Sequence, residues 1–209
     1  MKFKQYINES EKEITDLDEF NTHVHNNCKP YLNLIKTLQH PFIREMLGDF
    51  EMGIKMVRQD RKPRATNVDT FKRFNDWLAK HKHNRRDNSV MASFEPAKVF
   101  GMPYYIFPIG KVSYTWIKAN DVNMNDNSTG WNDDTIEYYD FKKERYTRDK
   151  RSWLPNFNDW FTTDSGYDVA ARHEYEIWFN CKQYMYIESD REYWWSKRRL
   201  SMMEGYDKI

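Results

Sequence analysis

The sequence predicts a single domain of the α+β class. Its 209 residues are enough to enclose one hydrophobic core. Residues 67–80 repeat apolar side chains at the helical period, whereas 90–93 and 104–109 are short apolar and aromatic runs of strand length. Because helical and extended segments are interspersed along the chain, we expect helices packed against antiparallel strands.

Composition narrows the classes of function. The 33 basic and 32 acidic residues nearly cancel, so no overall field favours nucleic acid or a membrane surface, and any such binding has to be local. No apolar run approaches the ~18 residues of a membrane span, and no secretion signal is evident. Cys28 and Cys181 do not form a disulfide framework, which favours a reduced, intracellular site of action.

The first half of the chain predicts two helices and two strands. Residues 30–39 carry apolar side chains at helical spacing and are followed by Pro41, which ends the helix. A strand carrying Arg44 follows, and 54–58 forms the second strand. Thr66 is a candidate N-cap for the helix over 67–80. The apolar stripe of that helix consists of Phe71, Phe74 and Leu78.

The centre of the chain predicts further strands. We expect a strand over 90–93, a short helix over 96–100, and a hairpin formed by 104–109 and 112–117 with its turn near Gly110.

The remainder has weaker patterns. Residues 118–170 are rich in Asn, Asp, Lys and Arg, which predicts loops with short helices within 156–161 and near 167–172. The run over 176–187 predicts one strong strand, and 192–203 predicts an amphipathic helix.

Two glutamates at the start of this last strand are candidate catalytic residues. In an extended strand, alternate side chains point to the same side, so Glu174 and Glu176 are expected to share a face. A fixed carboxylate stabilises positive charge that develops in a transition state. The simpler interpretation of any Glu-x-Glu pair is a solvated strand face.

Three segments together resemble the motifs of a known enzyme family. Arg44 lies in FIREM, a serine-containing strand and helix lie in NSVMASFEPAKVFG, and Glu-x-Glu lies in HEYEIWFNCKQYMYI. In order and character they resemble the Arg, Ser and Glu-x-Glu elements of mono-ADP-ribosyltransferases, which transfer ADP-ribose from NAD to an acceptor. The resemblance implies split, strongly curved β-sheets flanked by helices, and NAD as a substrate with no metal.

The resemblance also implies a role for each matching residue. Glu176 would stabilise the oxocarbenium ion, and Glu174 would engage the acceptor, which favours arginine on a protein. Arg44, or alternatively Arg58, would bind NAD through its phosphates or ribose. Glu45 stands where the family often has glycine, and the Ser-Thr-Ser triplet is absent. Ser89 and Ser93 therefore remain alternatives for the serine that orients Glu176 and supports the nicotinamide ribose of NAD, with helix capping as the structural alternative for Ser93.

The N-terminus resembles the capsid-targeting peptides of internal head proteins in large tailed phages. Residues 1–9 end in Ile-Asn-Glu, which would be cut between Glu9 and Ser10, and an ordinary helical N-terminus is the alternative. We divide the chain into an extension over 1–25 and a transferase-like domain over 26–209. This resemblance implies packaging in a phage head, delivery to the host cytoplasm and a host protein as acceptor.

Other patterns are weaker. His23, His25 and Cys28 fall short of a structural zinc motif, so no metal is expected. The basic run over 80–86 is typical of a solvated loop, and Lys142–Trp153 favours nucleic-acid contact or a nucleic-acid acceptor. A non-catalytic structural or inhibitory phage protein on the same scaffold is the alternative function.

Overall fold

The computed structural model describes residues 11–38, 40–46, 50–59, 61, 68–94, 101–118, 122–123, 135–140, 145–150 and 157–189. Four predictions lie outside the described residues: the cut between Glu9 and Ser10, the N-cap at Thr66, the helix over 96–100 and the helix over 192–203.

Four α-helices are present in this part of the chain: α1 (Leu17–Asn27), α2 (Lys29–Ile35), α3 (Val68–Lys80) and α4 (Tyr167–Arg172). Helix α3 confirms the prediction over 67–80, and its apolar stripe is buried. Helix α2 is shorter than predicted and ends at Ile35. The predicted short helices also form, as α4 and as a 3-10 helix over Phe157–Trp160.

Twelve strands follow one another among the described residues. They are β1 (Glu11–Glu13), β2 (Ile43–Met46), β3 (Met52–Met56), β4 (Val90–Ala92), β5 (Met102–Pro108), β6 (Ser113–Ile117), β7 (Val122–Asn123), β8 (Thr135–Asp140), β9 (Arg145–Lys150), β10 (Phe161–Thr163), β11 (Ile177–Asn180) and β12 (Gln183–Glu188).

The strands form three antiparallel sheets. A five-stranded sheet has the order β1-β3-β12-β5-β2, a four-stranded sheet has the order β10-β6-β11-β4, and β7-β8-β9 form the third. The predicted α+β class is therefore confirmed. The third sheet lies within 118–170, where loops were expected. The polar composition of that region does not show the apolar pattern from which strands are predicted.

A backbone bridge joins the two larger sheets. Ile43 donates its N–H to the carbonyl of Ser93 at 2.7 Å, and Ser93 donates back to Ile43 at 2.8 Å. The chain at β2 therefore lies at the edge of the five-stranded sheet and also beside the end of β4.

The core contains side chains from both larger sheets and from the first two helices. Tyr31 contacts Phe107 and Phe179 edge-on, and its hydroxyl accepts the backbone N–H of Phe42 at 3.0 Å. Phe20 on α1 packs against Phe107 as well. The aromatic residues thus hold the helices to the sheets. The predicted division at residue 25 falls inside α1.

Two strand predictions are wrong. The segments over 104–109 and 112–117 do not pair, because β5 belongs to the five-stranded sheet and β6 to the four-stranded one. Gly110, with a φ of 76°, donates its N–H to Asn27 at 2.8 Å, and the chain there crosses between sheets. The run over 176–187 is likewise two strands, since β11 and β12 lie in different sheets.

No helix in the described ranges has the length and apolar character needed to cross a membrane.

Candidate functional site: a buried arginine–glutamate cluster

Glu176 lies immediately before β11 and is almost fully enclosed, with 5% of its surface exposed. Its backbone carbonyl accepts the N–H of Ile117 at 3.1 Å, which fixes the residue to β6. The Nε and Nη2 atoms of Arg86 donate to Oε1 and Oε2 at 3.0 and 3.2 Å, and the indole N–H of Trp178 donates to Oε1. Both carboxylate oxygens therefore have fixed donors.

Arg86 is held by helix α3. The buried side-chain oxygen of Asn75 accepts the backbone N–H groups of Arg86 at 2.7 Å and Asp87 at 3.1 Å, while its Nδ2 donates to Phe71. The guanidinium carbon lies 5.9 Å from the ring centroid of Trp178. Arg86 is only 8% exposed, so the solvated loop predicted over 80–86 is wrong at this position.

Met91 on β4 contacts both Arg44 and Arg86. Arg44 donates from Nη1 to the carbonyl of Met91 at 3.1 Å, and Arg86 donates from Nε to the Met91 sulfur at 2.9 Å. Met91 is also the Cα partner of Trp178 in the β4–β11 pair. The Nε atom of Arg44 is buried and has no hydrogen-bond partner among the described residues.

Arg61 completes the group. Burial, chiefly, and then repulsion from Arg44 and Arg86 lower the pKa of Arg61 to about 9, and attraction to Glu176 opposes the shift. Arg61 therefore interacts electrostatically with Arg44, Arg86 and Glu176. We call these four residues the arginine–glutamate cluster.

The structure places the remaining predicted site residues apart from the Glu176 carboxylate or in structural roles. Glu174 has a φ of 58° and lies between α4 and β11, so strand alternation does not place it on one face with Glu176, which corrects that expectation. Ser89 is buried and donates to the carbonyl of Arg85 at 2.6 Å. Ser93 makes the backbone bridge to Ile43, and Arg58 is exposed in the loop after β3.

Sequence reasoning missed three members of the site. Arg86 enters the sequence analysis only as part of the basic run over 80–86, Trp178 only as part of the apolar run over 176–187, and Arg61 is not singled out. No local pattern marks Arg86 as buried, because its partner Glu176 follows ninety positions later. No family model matches this chain, and no curated protein or solved structure does either.

The chemical capacity of the cluster is anion recognition beside a fixed carboxylate. Arg86 pairs with the Glu176 carboxylate, and Arg44 bonds to Met91 next to Arg86. Guanidinium groups bind phosphate and carboxylate through paired hydrogen bonds. Among the described residues, no group of three or more His, Cys, Asp or Glu side chains is arranged to hold a metal ion.

Proposed function

We propose that the protein is an NAD-dependent mono-ADP-ribosyltransferase with the split-sheet fold of that family. The adjacency of the three motif-bearing segments supports this proposal. Arg44 lies on β2, Ser93 joins the end of β4 to β2, and β4 pairs with β11, at whose start Glu176 lies. Segments far apart in the sequence thus occupy neighbouring strands in the order Arg, Ser, Glu.

The environment of Glu176 suits stabilisation of a cation. Cleavage of NAD breaks the bond between the ribose carbon and the nicotinamide nitrogen, and the electron pair leaves with nicotinamide. The ribose then has oxocarbenium character, and the acceptor atom bonds to that carbon and releases a proton. A carboxylate fixed by Arg86 and Trp178 does not need to reorganise when this positive charge develops. Arg86 and Trp178 are therefore positioning residues in this proposal.

Arg44 is the proposed NAD-binding arginine, since its Nε is buried with no partner in the described part of the chain and its Nη1 bonds to Met91, which also contacts Arg86. Arg58, the alternative, is exposed. Ser89 would act indirectly, because its hydroxyl bonds to the loop that carries Arg86. Ser93 would act through its backbone bridge to Ile43, which joins the end of β4 to β2.

The proposed acceptor is arginine on a host protein, engaged by Glu174, whose left-handed backbone directs the chain into β11. The proposed place of action is the host cytoplasm after packaging in a phage head. A nucleic-acid acceptor rests on Lys142–Trp153, of which the backbone over 145–150 forms β9.

A non-catalytic binding protein is the second candidate, favoured by one observation. Both oxygens of Glu176 are already held by Arg86, so a ribose hydroxyl would have to share or displace a donor. On this alternative the cluster binds a ligand without turnover.

Release of nicotinamide from NAD separates the two candidates. We expect the purified chain to release it, and Glu176→Gln to abolish release, while Glu174→Gln retains cleavage of NAD but loses transfer to an arginine acceptor. Circular dichroism and a thermal transition for each variant show whether it is folded. A folded Glu176→Gln variant that turns over NAD normally contradicts the catalytic assignment.

A further inference from the structure

Asn75 is a polar side chain of α3 that has no exposed surface. Its Oδ1 accepts the backbone N–H groups of Arg86 at 2.7 Å and of Asp87 at 3.1 Å, and its Nδ2 donates to the carbonyl of Phe71 at 2.8 Å. A buried amide is costly unless its polar atoms are bonded, and here the oxygen and the nitrogen both are. The side chain therefore ties the interior of α3 to the backbone at residues 86 and 87.

The segment over 81–87 is also held at a second point. The backbone N–H of Asn84 donates to the hydroxyl of Thr115 at 2.9 Å, and its Nδ2 donates to the hydroxyl of Ser113 at 3.0 Å. Both hydroxyls belong to β6. These bonds fix the chain two residues before Arg86, whereas the N–H of Arg86 itself is held by Asn75. The position of the Arg86 backbone thus depends directly on the Asn75 oxygen.

The position of this backbone determines which acceptor the Arg86 guanidinium meets. Its Nε lies 2.9 Å from the sulfur of Met91 and 3.0 Å from Oε1 of Glu176, and its Nη2 lies 3.2 Å from Oε2. A thioether is a weak acceptor and a carboxylate a strong one, and they share a single N–H. A displacement of the segment over 81–87 would therefore shift this donor from the carboxylate to the sulfur.

We infer that Asn75 is a positioning residue for the Glu176 carboxylate, through its hold on Arg86. The inference rests on the proposed function, in which the carboxylate must be fixed before positive charge develops on the ribose. Displacement of a catalytic group by about 1 Å can lower a rate on the order of 100-fold. The bonds of Asn75 go to residues 71, 86 and 87 and not to Arg44, the proposed NAD-binding residue. Loss of Asn75 should therefore lower kcat and leave the KM for NAD almost unchanged.

Steady-state release of nicotinamide from NAD tests this expectation. Asn75→Ala removes the acceptor, whereas Asn75→Asp keeps an oxygen acceptor and loses only the Nδ2 donor. We expect kcat to fall about tenfold or more in Asn75→Ala, with KM within about threefold, and kcat of Asn75→Asp to stay within about threefold of the unaltered chain. Gly53→Ala is the control for lost stability, because its crowding lies beside β1, in the other large sheet.

Solvent exchange of the Arg86 Nε–H, followed by NMR, tests the same contact without turnover. The resonance is identified by its absence in Arg86→Lys. We expect slow exchange in the unaltered chain, in Asn75→Asp and in Gly53→Ala, and exchange at least about tenfold faster in Asn75→Ala. Thermal unfolding shows which variants are folded at the temperature of both assays. Asn75→Leu, which fills the space without an acceptor, replaces Asn75→Ala if that variant does not fold.

Each outcome decides the inference. If the unaltered chain releases nicotinamide, an unchanged kcat in folded Asn75→Ala overturns the role of Asn75 and leaves the transferase intact. An equal loss of kcat in Asn75→Asp also overturns it, because the accepted N–H groups would then not matter, and so does an equal loss in Gly53→Ala. If no nicotinamide is released, the transferase fails and the exchange measurement decides. Exchange that is equally slow in Asn75→Ala overturns the inference, and exchange that depends on Asn75 supports it.

Discussion

Removing the charge of Glu176 is expected to destabilise the fold as well as change the site. The side chains of Glu176 and Arg86 are 7% and 10% exposed, and their ion pair is bidentate. Breaking such a pair from one side costs about 3–5 kcal/mol, because the remaining charge stays buried without compensation. In Glu176→Gln the amide oxygen still accepts a hydrogen bond, so we expect a loss of about 3 kcal/mol.

Urea unfolding followed by tryptophan fluorescence measures this loss from the midpoint and slope of the transition. Glu174→Gln is the matched control, because Glu174 is half-buried and makes no side-chain bond among the described residues. That variant should differ from the unaltered chain by no more than about 0.5 kcal/mol. The double variant Glu176→Leu with Arg86→Met should recover most of the stability that Glu176→Leu alone or Arg86→Met alone loses, since apolar groups replace both charges.

Two results would refute the reasoning. One is a loss below about 1 kcal/mol for Glu176→Gln, which is the scale of an exposed ion pair. The other is a double variant whose loss equals the sum of the two single losses, which would mean that the residues are not coupled.

Three further predictions concern the framework of the site. Gly53→Ala should lower stability by about 1–3 kcal/mol in urea unfolding, because an added Cβ would lie 2.5 Å from a backbone oxygen of β1 and 2.9 Å from the Tyr186 hydroxyl; an unchanged midpoint would contradict this packing. Asn75→Ala should cost at least about 2 kcal/mol, since its buried oxygen accepts two backbone N–H groups, and equal stability to the unaltered chain would argue against that role. Cys28 and Cys181 are both buried, and burial raises both thiol pKa values, that of Cys181 to about 12. A thiol reagent at pH 8 should therefore label neither until urea is added, and rapid labelling of the native chain would contradict their burial.

Sequence reasoning succeeded where a local pattern determines the structure. The stripe of Phe71, Phe74 and Leu78 is enough to place α3, because one face of a helix must be buried. The strand of Arg44 forms as predicted, and the strand predicted over 90–93 forms over Val90–Ala92, since short apolar runs bounded by polar segments favour extended backbone.

It failed where the outcome depends on distant partners. A turn near Gly110 between two apolar runs is compatible with a hairpin and also with a chain that crosses from one sheet to the other. The pairing of β5 with β12 and of β6 with β11 determines that the chain crosses. The run over 176–187 is a similar case. Its continuous apolar character does not indicate that β11 and β12 belong to different sheets. Arg86 is buried only because α3 fixes its backbone and Glu176 neutralises it.

Transfer of label from NAD into a host-cell lysate tests the central claim most directly. The unaltered chain, Glu176→Gln and Glu174→Gln are each incubated with NAD labelled in its adenylate half, and protein and nucleic-acid fractions are counted separately. The account predicts label in the protein fraction that requires Glu176 in a folded protein. Absence of label from both fractions, together with no free nicotinamide, would contradict the transferase and leave the cluster as a binding site without turnover.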